Sequence, residues 1–286
     1  MSDLETIIKY YDRTTSVYEK YWYGDSESYA LHYGFWEKDT KTFSESLINT
    51  NKFLAEKLKI KSSDTILDAG CGVGGSTIWI AKNFQAKVTG ITISETQVHQ
   101  AAKLAKLNKV EQLVDFKVRN FLDTKFPDES FDIIWAIESV CHAQKKEEFL
   151  KEAFRLLRKG GKIIIADAFQ QREFQNASEE EMVRIFNEGL ALPNIAKIND
   201  FKEYMNRVGF ENIQFYNKTE AILNSSRRMY NLCRFIYPLQ RIIKIFKQNS
   251  QGLKILQKNN RAGILQYKLI KSGLAGYGVF YGEKTF

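Results

Sequence analysis

The scarcest features of this 286-residue chain exclude the most. Only three cysteines are present, Cys71, Cys141 and Cys233, and they stand far apart. That spacing offers neither a disulfide framework nor paired zinc ligands, and it suits a reducing compartment. Three histidines, His32, His99 and His142, are equally scattered and give no metal-ligand pattern. No apolar run approaches the ~18 residues of a membrane span. No basic start, apolar core and small-residue cleavage site open the chain. The expectation is a cytoplasmic protein. Repeats and low-complexity linkers are missing too.

Acidic residues are also missing from one long stretch. From Ala221 to Gly282 there is no Asp or Glu, while eleven Lys and Arg fall in the same residues. The whole chain carries +8, so the rest of it is net acidic. Within the stretch Ile236, Leu239, Ile242, Ile243 and Phe246 recur at helical spacing beside Arg241, Lys244 and Lys247. A basic amphipathic helix reads as an element lying on a membrane surface. The same pattern suits a substrate cap whose stripe packs on the core and whose charges are solvated. The expectation is a helical cap that associates peripherally with anionic membranes or takes an anionic, lipid-like substrate. No nucleic-acid partner is expected, because no RNA- or DNA-binding motif accompanies the charge.

What is present reads as an α/β fold. Apolar residues make up 44%, enough for a full core. Leu4, Ile7, Ile8 and Tyr11 open an amphipathic helix, and residues 43–58 make another. Strands are predicted at 65–67, 86–91, 114–118, 131–137, 162–166 and 212–216, with helices at 76–84, 95–107, 146–157, 179–190 and 201–208. Gly160-Gly161 is expected to end the helix before the fifth strand, and Ser178 with Glu181 to cap the next one. Strands alternating with helices imply a doubly wound, mostly parallel sheet. Ligands on such sheets sit beyond the carboxyl ends of the strands. That places Asp68, Asn120, Glu138 and Asp167 around one cleft.

Residues 66–81 read ILDAGCGVGGSTIWIA: a buried strand, Asp68, four glycines and an apolar helix. Glycine lets the backbone approach a ligand that a Cβ would push away, and the following helix aims free N–H groups at an anionic group. The run also fits the dinucleotide fingerprint G-x-G-x-x-G. Against a nicotinamide cofactor, no Asp or Glu stands at the end of the next strand to hold a ribose.

The pattern Asp68-x-Gly70-x-Gly72-x-Gly74 resembles motif I of class I S-adenosylmethionine (SAM)-dependent methyltransferases, whose fold is a Rossmann-like seven-stranded sheet. The resemblance covers about residues 8–217. Phe126-Pro-Asp-Glu-Ser-Phe-Asp-Ile133 looks like the family's second motif, and Leu156-Leu-Arg-Lys-Gly-Gly-Lys-Ile163 like its third, with Lys159 in place of proline. Val88-Thr-Gly-Ile-Thr-Ile-Ser94 with Gln97 is similar to the γ-tocopherol, sterol C-24 and sugar O-methyltransferases. His32-Tyr-Gly-Phe-Trp36 and the final stretch Gln266–Gly282 lean towards the γ-tocopherol enzymes. The resemblance implies a helical lid over 1–60, a SAM-binding core over 61–220 and a basic helical cap with a last strand over 221–286. Asp68, Gly70, Gly72 and Gly74 would hold the methionine end of SAM. Thr92, Ile93 and Gln97 would lie at the ribose, and Asn120 and Phe121 at the adenine. Asn120 replaces the usual Asp, but an amide oxygen can still accept from the adenine amine.

The fourth strand runs into Glu138-Ser-Val-Cys-His142. The four-residue spacing puts Glu138 and His142 on one face if the segment is helical. Sugar O-methyltransferases of this group carry His-His here and pair the first with an Asp after strand five. This chain keeps Asp167 but has Cys141 at that position. The E-x-x-C-H-A order is similar to the sterol enzymes, where an acid can stabilise a carbocation. Phosphoethanolamine N-methyltransferases place an acid and a His at the same spacing, with an N-terminal Tyr as partner. Tyr11, in the aromatic-rich segment Lys9–Trp36, matches the family's Y-D tyrosine. Aromatic faces suit a sulfonium, at about 0.5–2 kcal/mol each. Tyr11, Glu138 and His142 are therefore the expected reacting centre. The expected reaction is C-methylation of a small lipophilic isoprenoid or prenylated ring. N-methylation of an amine or phospholipid headgroup precursor, O-methylation, and a SAM-binding regulatory protein without catalysis stay open.

Overall fold

In the computed structural model, residues 4–24, 26, 28–246 and 250–285 are described, with the backbone alone for 239–246. Fifteen residues of periodic sequence form α1 (Leu4–Tyr18), which runs into a π-helical turn, Glu19–Tyr23. Thr42 caps α2 (Phe43–Leu58) through a capping box with Glu45. Strands and helices then alternate: β1 (Thr65–Ala69), α3 (Gly75–Phe84), β2 (Lys87–Thr92), α4 (Glu95–Leu107), β3 (Val114–Val118), β4 (Phe131–Ile137), α5 (Lys146–Leu156), β5 (Leu157–Gln170). They are followed by α6 (Ala177–Gly189), α7 (Ile198–Val208), β6 (Glu211–Asn217), α8 (Thr219–Phe246), α9 (Gln251–Lys271) and β7 (Ala275–Lys284).

The strands make one sheet in the order β3-β2-β1-β4-β5-β7-β6. All pairings are parallel except those of β7, which runs antiparallel between β5 and β6. Successive strand residues point to opposite faces, so both faces can be apolar. Ile66, Ile133, Trp135, Ile164 and Val279 meet α2, α3 and α4 on one face. Leu67, Ile134, Ile163, Ile165 and Phe280 meet α5 and α7 on the other. Full burial of each such side chain stabilises by roughly 1.5–3 kcal/mol. No helix among the described residues is long and apolar enough to cross a membrane.

Two local expectations are corrected. Gly160-Gly161 does not end α5: the chain turns extended at Leu157, which already pairs with Phe131. The next partners are Ile133 and Lys162, so the diglycine lies in a bulge inside β5, with Gly160 at φ +78°. The pull of strand pairing overrides the glycine stop. Ser178 is not the cap of α6 either. Asn176 is, its side chain accepting from the Glu179 N–H at 3.0 Å. Glu179 is held from the other side by Arg172, with two contacts of 2.7 Å, which fixes where the helix starts.

The apolar stripe expected at 236–246 mostly lies outside what is described. The side chains of Leu239, Arg241, Ile242, Ile243, Lys244 and Phe246 and the whole of Lys247 are not covered.

Candidate active site

A cavity of about 340 Å³ opens beyond the carboxyl ends of β1, β2, β4 and β5. Asp68, Asn120, Glu138 and Asp167 all line it, as the strand order requires. Helices α1, α6, α8 and α9 supply the remaining walls, through residues such as Tyr11, Phe186, Met229 and Asn259.

The glycine loop forms one end. Gly70 adopts φ +96°, and a Cβ there would lie 2.3 Å from Cβ of Ser139. Its missing side chain lets the loop after β1 touch the loop after β4, where the Ser139 hydroxyl donates to the Ala69 carbonyl at 2.6 Å. Gly72, at φ +53°, lines the cavity with Leu31 3.0 Å from where its Cβ would be. Gly74, expected beside them, is not among the residues that line the cavity. It stands at the N-cap of α3 at φ +86°, and a Cβ there would meet the Phe116 ring at 2.8 Å, so this glycine serves helix-to-sheet packing. Asp68 accepts from the Thr77 hydroxyl at 2.6 Å and from the Thr77 N–H, tying β1 to the start of α3. Burial raises its carboxyl to about 7 against those two bonds.

Thr92, Ile93 and Gln97 stand together on the next wall. Gln97 is buried rather than solvent-facing; it accepts from the Thr92 hydroxyl at 2.6 Å and donates to Thr15 at 3.4 Å. Ser94 donates to Asp12 at 2.7 Å, so α1 is latched to α4 across this edge. Asn120 and Phe121 follow on the cavity wall. One lone pair of the Asn120 oxygen already accepts from the Leu122 N–H at 2.9 Å. The second lone pair and the amide hydrogens are left for a ligand. The bare Gly72 on the wall, the buried Gln97 amide and the half-buried Asn120 beside Phe121 fit an amino-acid end, a ribose and a base in that order.

The other end holds the expected reacting centre. The Tyr11 hydroxyl lies 2.7 Å from Nε2 of His142, 131 residues away in sequence. Nδ1 of the same ring is 3.3 Å from the Ala191 carbonyl. A carbonyl only accepts, so the hydrogen sits on Nδ1 and Nε2 accepts from tyrosine. Burial holds the imidazole at about 4 and pushes the Tyr11 hydroxyl well above its ordinary value, so both are neutral near pH 7.

Glu138 does not share a helical face with His142. It closes β4 at φ +49°, and the short 3-10 turn Val140–His142 begins only after it. The two side chains approach the cavity separately. Oε1 of Glu138 accepts from the Tyr33 N–H at 2.7 Å and from the Tyr277 hydroxyl at 2.9 Å. Burial raises this carboxyl to about 8, with those bonds pulling the other way. Asp167 is not the partner of His142, whose two nitrogens face Tyr11 and Ala191; it accepts from the N–H of Cys141 and of Ala168, each at 2.8 Å.

Several residues escaped the sequence reading. Lys146 is buried with no carboxylate at hydrogen-bond distance among the described residues. It donates to the carbonyls of Cys141 and Ala143 at 2.7 Å and of Asn194 at 3.0 Å. It thereby binds the His142 turn to the loop that carries Ala191. Asn259 donates to the hydroxyls of Tyr10 at 2.8 Å and Tyr18 at 3.3 Å, and these two hydroxyls bond each other. One bond uses one of their two hydrogens, so this cluster keeps a spare donor at the cavity wall. A motif search could not find these groups, because each is completed by a contact across more than 45 residues of chain, Lys146 to Asn194 and Asn259 to Tyr10 and Tyr18.

The methyltransferase domain family matches residues 67–165. A 27-O-demethylrifamycin SV methyltransferase of Amycolatopsis mediterranei is 30% identical over 203 residues, 71% of this chain and 72% of that one. The 24-methylenesterol C-methyltransferase 3 of Arabidopsis thaliana is 33% identical over 205 residues, 71% of this chain but only 55% of the relative. Among solved structures, the [4+2]-cyclase SpnF superposes with a TM-score of 0.80 at 21% identity, covering 98% of this chain and 96% of that one. The last likeness speaks for the fold alone. The matched domain, the level of identity to the rifamycin enzyme and the glycine-lined cavity together make this chain a member of the class I SAM-dependent methyltransferases.

Proposed function

We propose that the chain methylates a carbon of a small lipophilic acceptor, an isoprenoid or a prenylated ring. The observation that carries this is the neutral Tyr11–His142 pair beside buried Glu138. Among the described residues lining the cavity, Arg119 is the only cation, and it lies next to Asn120 on the wall assigned to the base. An acceptor bearing a phosphate would find no described cation at the reacting end to balance its charge, whereas an uncharged one needs none.

SAM bound against Asp68, Gly70, Gly72, Thr92, Ile93, Gln97, Asn120 and Phe121 supplies an electrophilic methyl group. The chain's own residues do the rest. The apolar walls, Phe186, Leu190 and Leu192 among them, orient the acceptor and exclude water. His142 Nε2 takes the proton released by the acceptor, through the Tyr11 hydroxyl, which passes on its own hydrogen as it receives one. Glu138 and the rings of Trp22, Tyr33 and Tyr277 face the positive charge that develops on the acceptor carbon.

The same proton-accepting pair supports a second reading, O-methylation of a hydroxyl, and the similarity to the rifamycin enzyme favours keeping it. Methyl-labelled SAM with isoprenoid phenols, alkenes, alcohols and amines tests both. Label on carbon, located by NMR of the product, is the expected result. Label confined to oxygen selects the second reading, and label on nitrogen overturns both. SAM binding with no turnover of any acceptor would mean a binding protein.

A further inference from the structure

The paired helices α8 and α9 present two unlike faces. Their inner sides wall the cavity through Met229, Gly263 and Gln266. They pack closely enough that a Cβ on Gly263 would meet Sγ of Cys233 at 2.3 Å. Their outer sides carry the acid-free charge. All eight described basic residues of this hairpin are exposed, and none lines the cavity. An anionic substrate held inside the cavity is therefore not what these charges serve.

The charges are ordered rather than scattered. On α8, Arg227, Arg228, Asn231, Arg234 and Phe235 form one outward stripe at i, i+3/i+4 and i+7 spacing. Phe235 is 76% exposed at the far end of it, next to Arg234. On α9, Lys254, Lys258, Arg261 and Lys268 repeat along a second exposed stripe. Lys258 reaches Glu188 at 3.6 Å, Arg227 bonds the Tyr267 hydroxyl, and Arg228 stacks on Phe43. Arg234, Lys254, Lys268 and Lys271 have no partner among the described residues. A solvated face would ordinarily mix both signs of charge. On the α9 side Lys258 and Arg261 lie near Glu188 and Glu181 of α6, but on α8 cations alone accompany an exposed aromatic ring, which matches a surface that is anionic above and apolar just below.

We propose that the outer face of the α8–α9 hairpin docks on an anionic lipid bilayer. Docking rests on charge and exposure. Its use, taking an acceptor out of the bilayer into the cavity behind the same helices, rests on the lipophilic-acceptor reading above.

Co-sedimentation of the full chain with vesicles of phosphatidylcholine, with and without phosphatidylglycerol, tests the docking without any acceptor. Binding should appear with phosphatidylglycerol, rise with its content and fall with salt, since surface attraction is screened within about 10 Å at 0.1 M. Arg234→Glu with Lys254→Glu should weaken it roughly tenfold or more. Phe235→Ser should weaken it without altering the salt dependence, while SAM binding by calorimetry stays unchanged in all variants. No preference for anionic vesicles at low salt overturns the proposal. So does retention by duplex DNA that exceeds vesicle binding at equal salt, or wild-type binding by the charge-reversed variant. If vesicles bind but no lipophilic acceptor is ever methylated, the acceptor reading fails and the docking stands.

Discussion

At the scale of single residues, the site depends on groups kept neutral by burial. His142→Ala or Tyr11→Phe should lower turnover at least tenfold, about 1.4 kcal/mol of barrier, with SAM affinity by calorimetry unchanged. Glu138→Gln should do the same. Wild-type rates in all three would reduce them to packing groups. Glu138 also carries a pH signature. Its folded carboxyl sits at about 8 against an ordinary 4.5, so the folded state holds a proton that the unfolded state gives up. That contribution is fully present below about pH 4.5 and is lost as pH rises through about 8. Between about pH 6 and 9, wild type should therefore lose stability relative to Glu138→Gln, on the order of 2 kcal/mol, in urea unfolding of the apo protein. An equal slope in the two proteins would show that Glu138 is already ionised. Asp68 and the glycines of its turn were legible in the sequence because they are adjacent residues, whereas the four-residue spacing of Glu138 and His142 misled, since the chain is not helical between them. The pairing of Tyr11 with His142 was legible only through resemblance. Tyr277 on Glu138 and Lys146 on three carbonyls were not legible at all, since nothing local distinguishes a tyrosine or lysine that finds its partner through the fold.

At the scale of elements, the loop between β1 and α3 controls cofactor access. Gly72→Val puts a branched side chain at φ +53° on the cavity wall, and calorimetry should show SAM binding abolished. Gly70→Ala should act through the frame instead. Its φ of +96° and the 2.3 Å approach to Ser139 predict a loss of roughly 1–3 kcal/mol in chemical denaturation. An unchanged midpoint would mean that the Ser139 loop yields freely. The helix and strand positions around this loop followed from periodicity. The two misplaced boundaries, the diglycine in β5 and the cap of α6, failed for one reason. Each local signal was outbid by a partner outside its own window, Phe131 in the first case and Arg172 in the second.

At the scale of the whole molecule, a doubly wound, mostly parallel sheet could be anticipated from the alternation of strands and helices, and a last strand from resemblance, but the strand order and the antiparallel place of β7 between β5 and β6 come from the fold alone. SAM that binds only the folded chain should raise its unfolding temperature in proportion to the logarithm of ligand excess, and NAD should not; the reverse pattern in a thermal melt would reject the family's cofactor for this chain. The antiparallel strand has one more consequence. β6 has β7 as its sole neighbour in the sheet, and the whole α8–α9 hairpin lies between them in the chain. During synthesis β6 therefore leaves the ribosome long before the strand it will pair with. Until β7 arrives, β5 is paired with β4 on one side only, and the edge along Ile163, Ile164 and Ile165 stays open. The nascent chain is thus most vulnerable to association with its neighbours between the emergence of β6 and that of β7. A stop codon anywhere in the hairpin should yield a protein lost to aggregation or proteolysis rather than a smaller working enzyme.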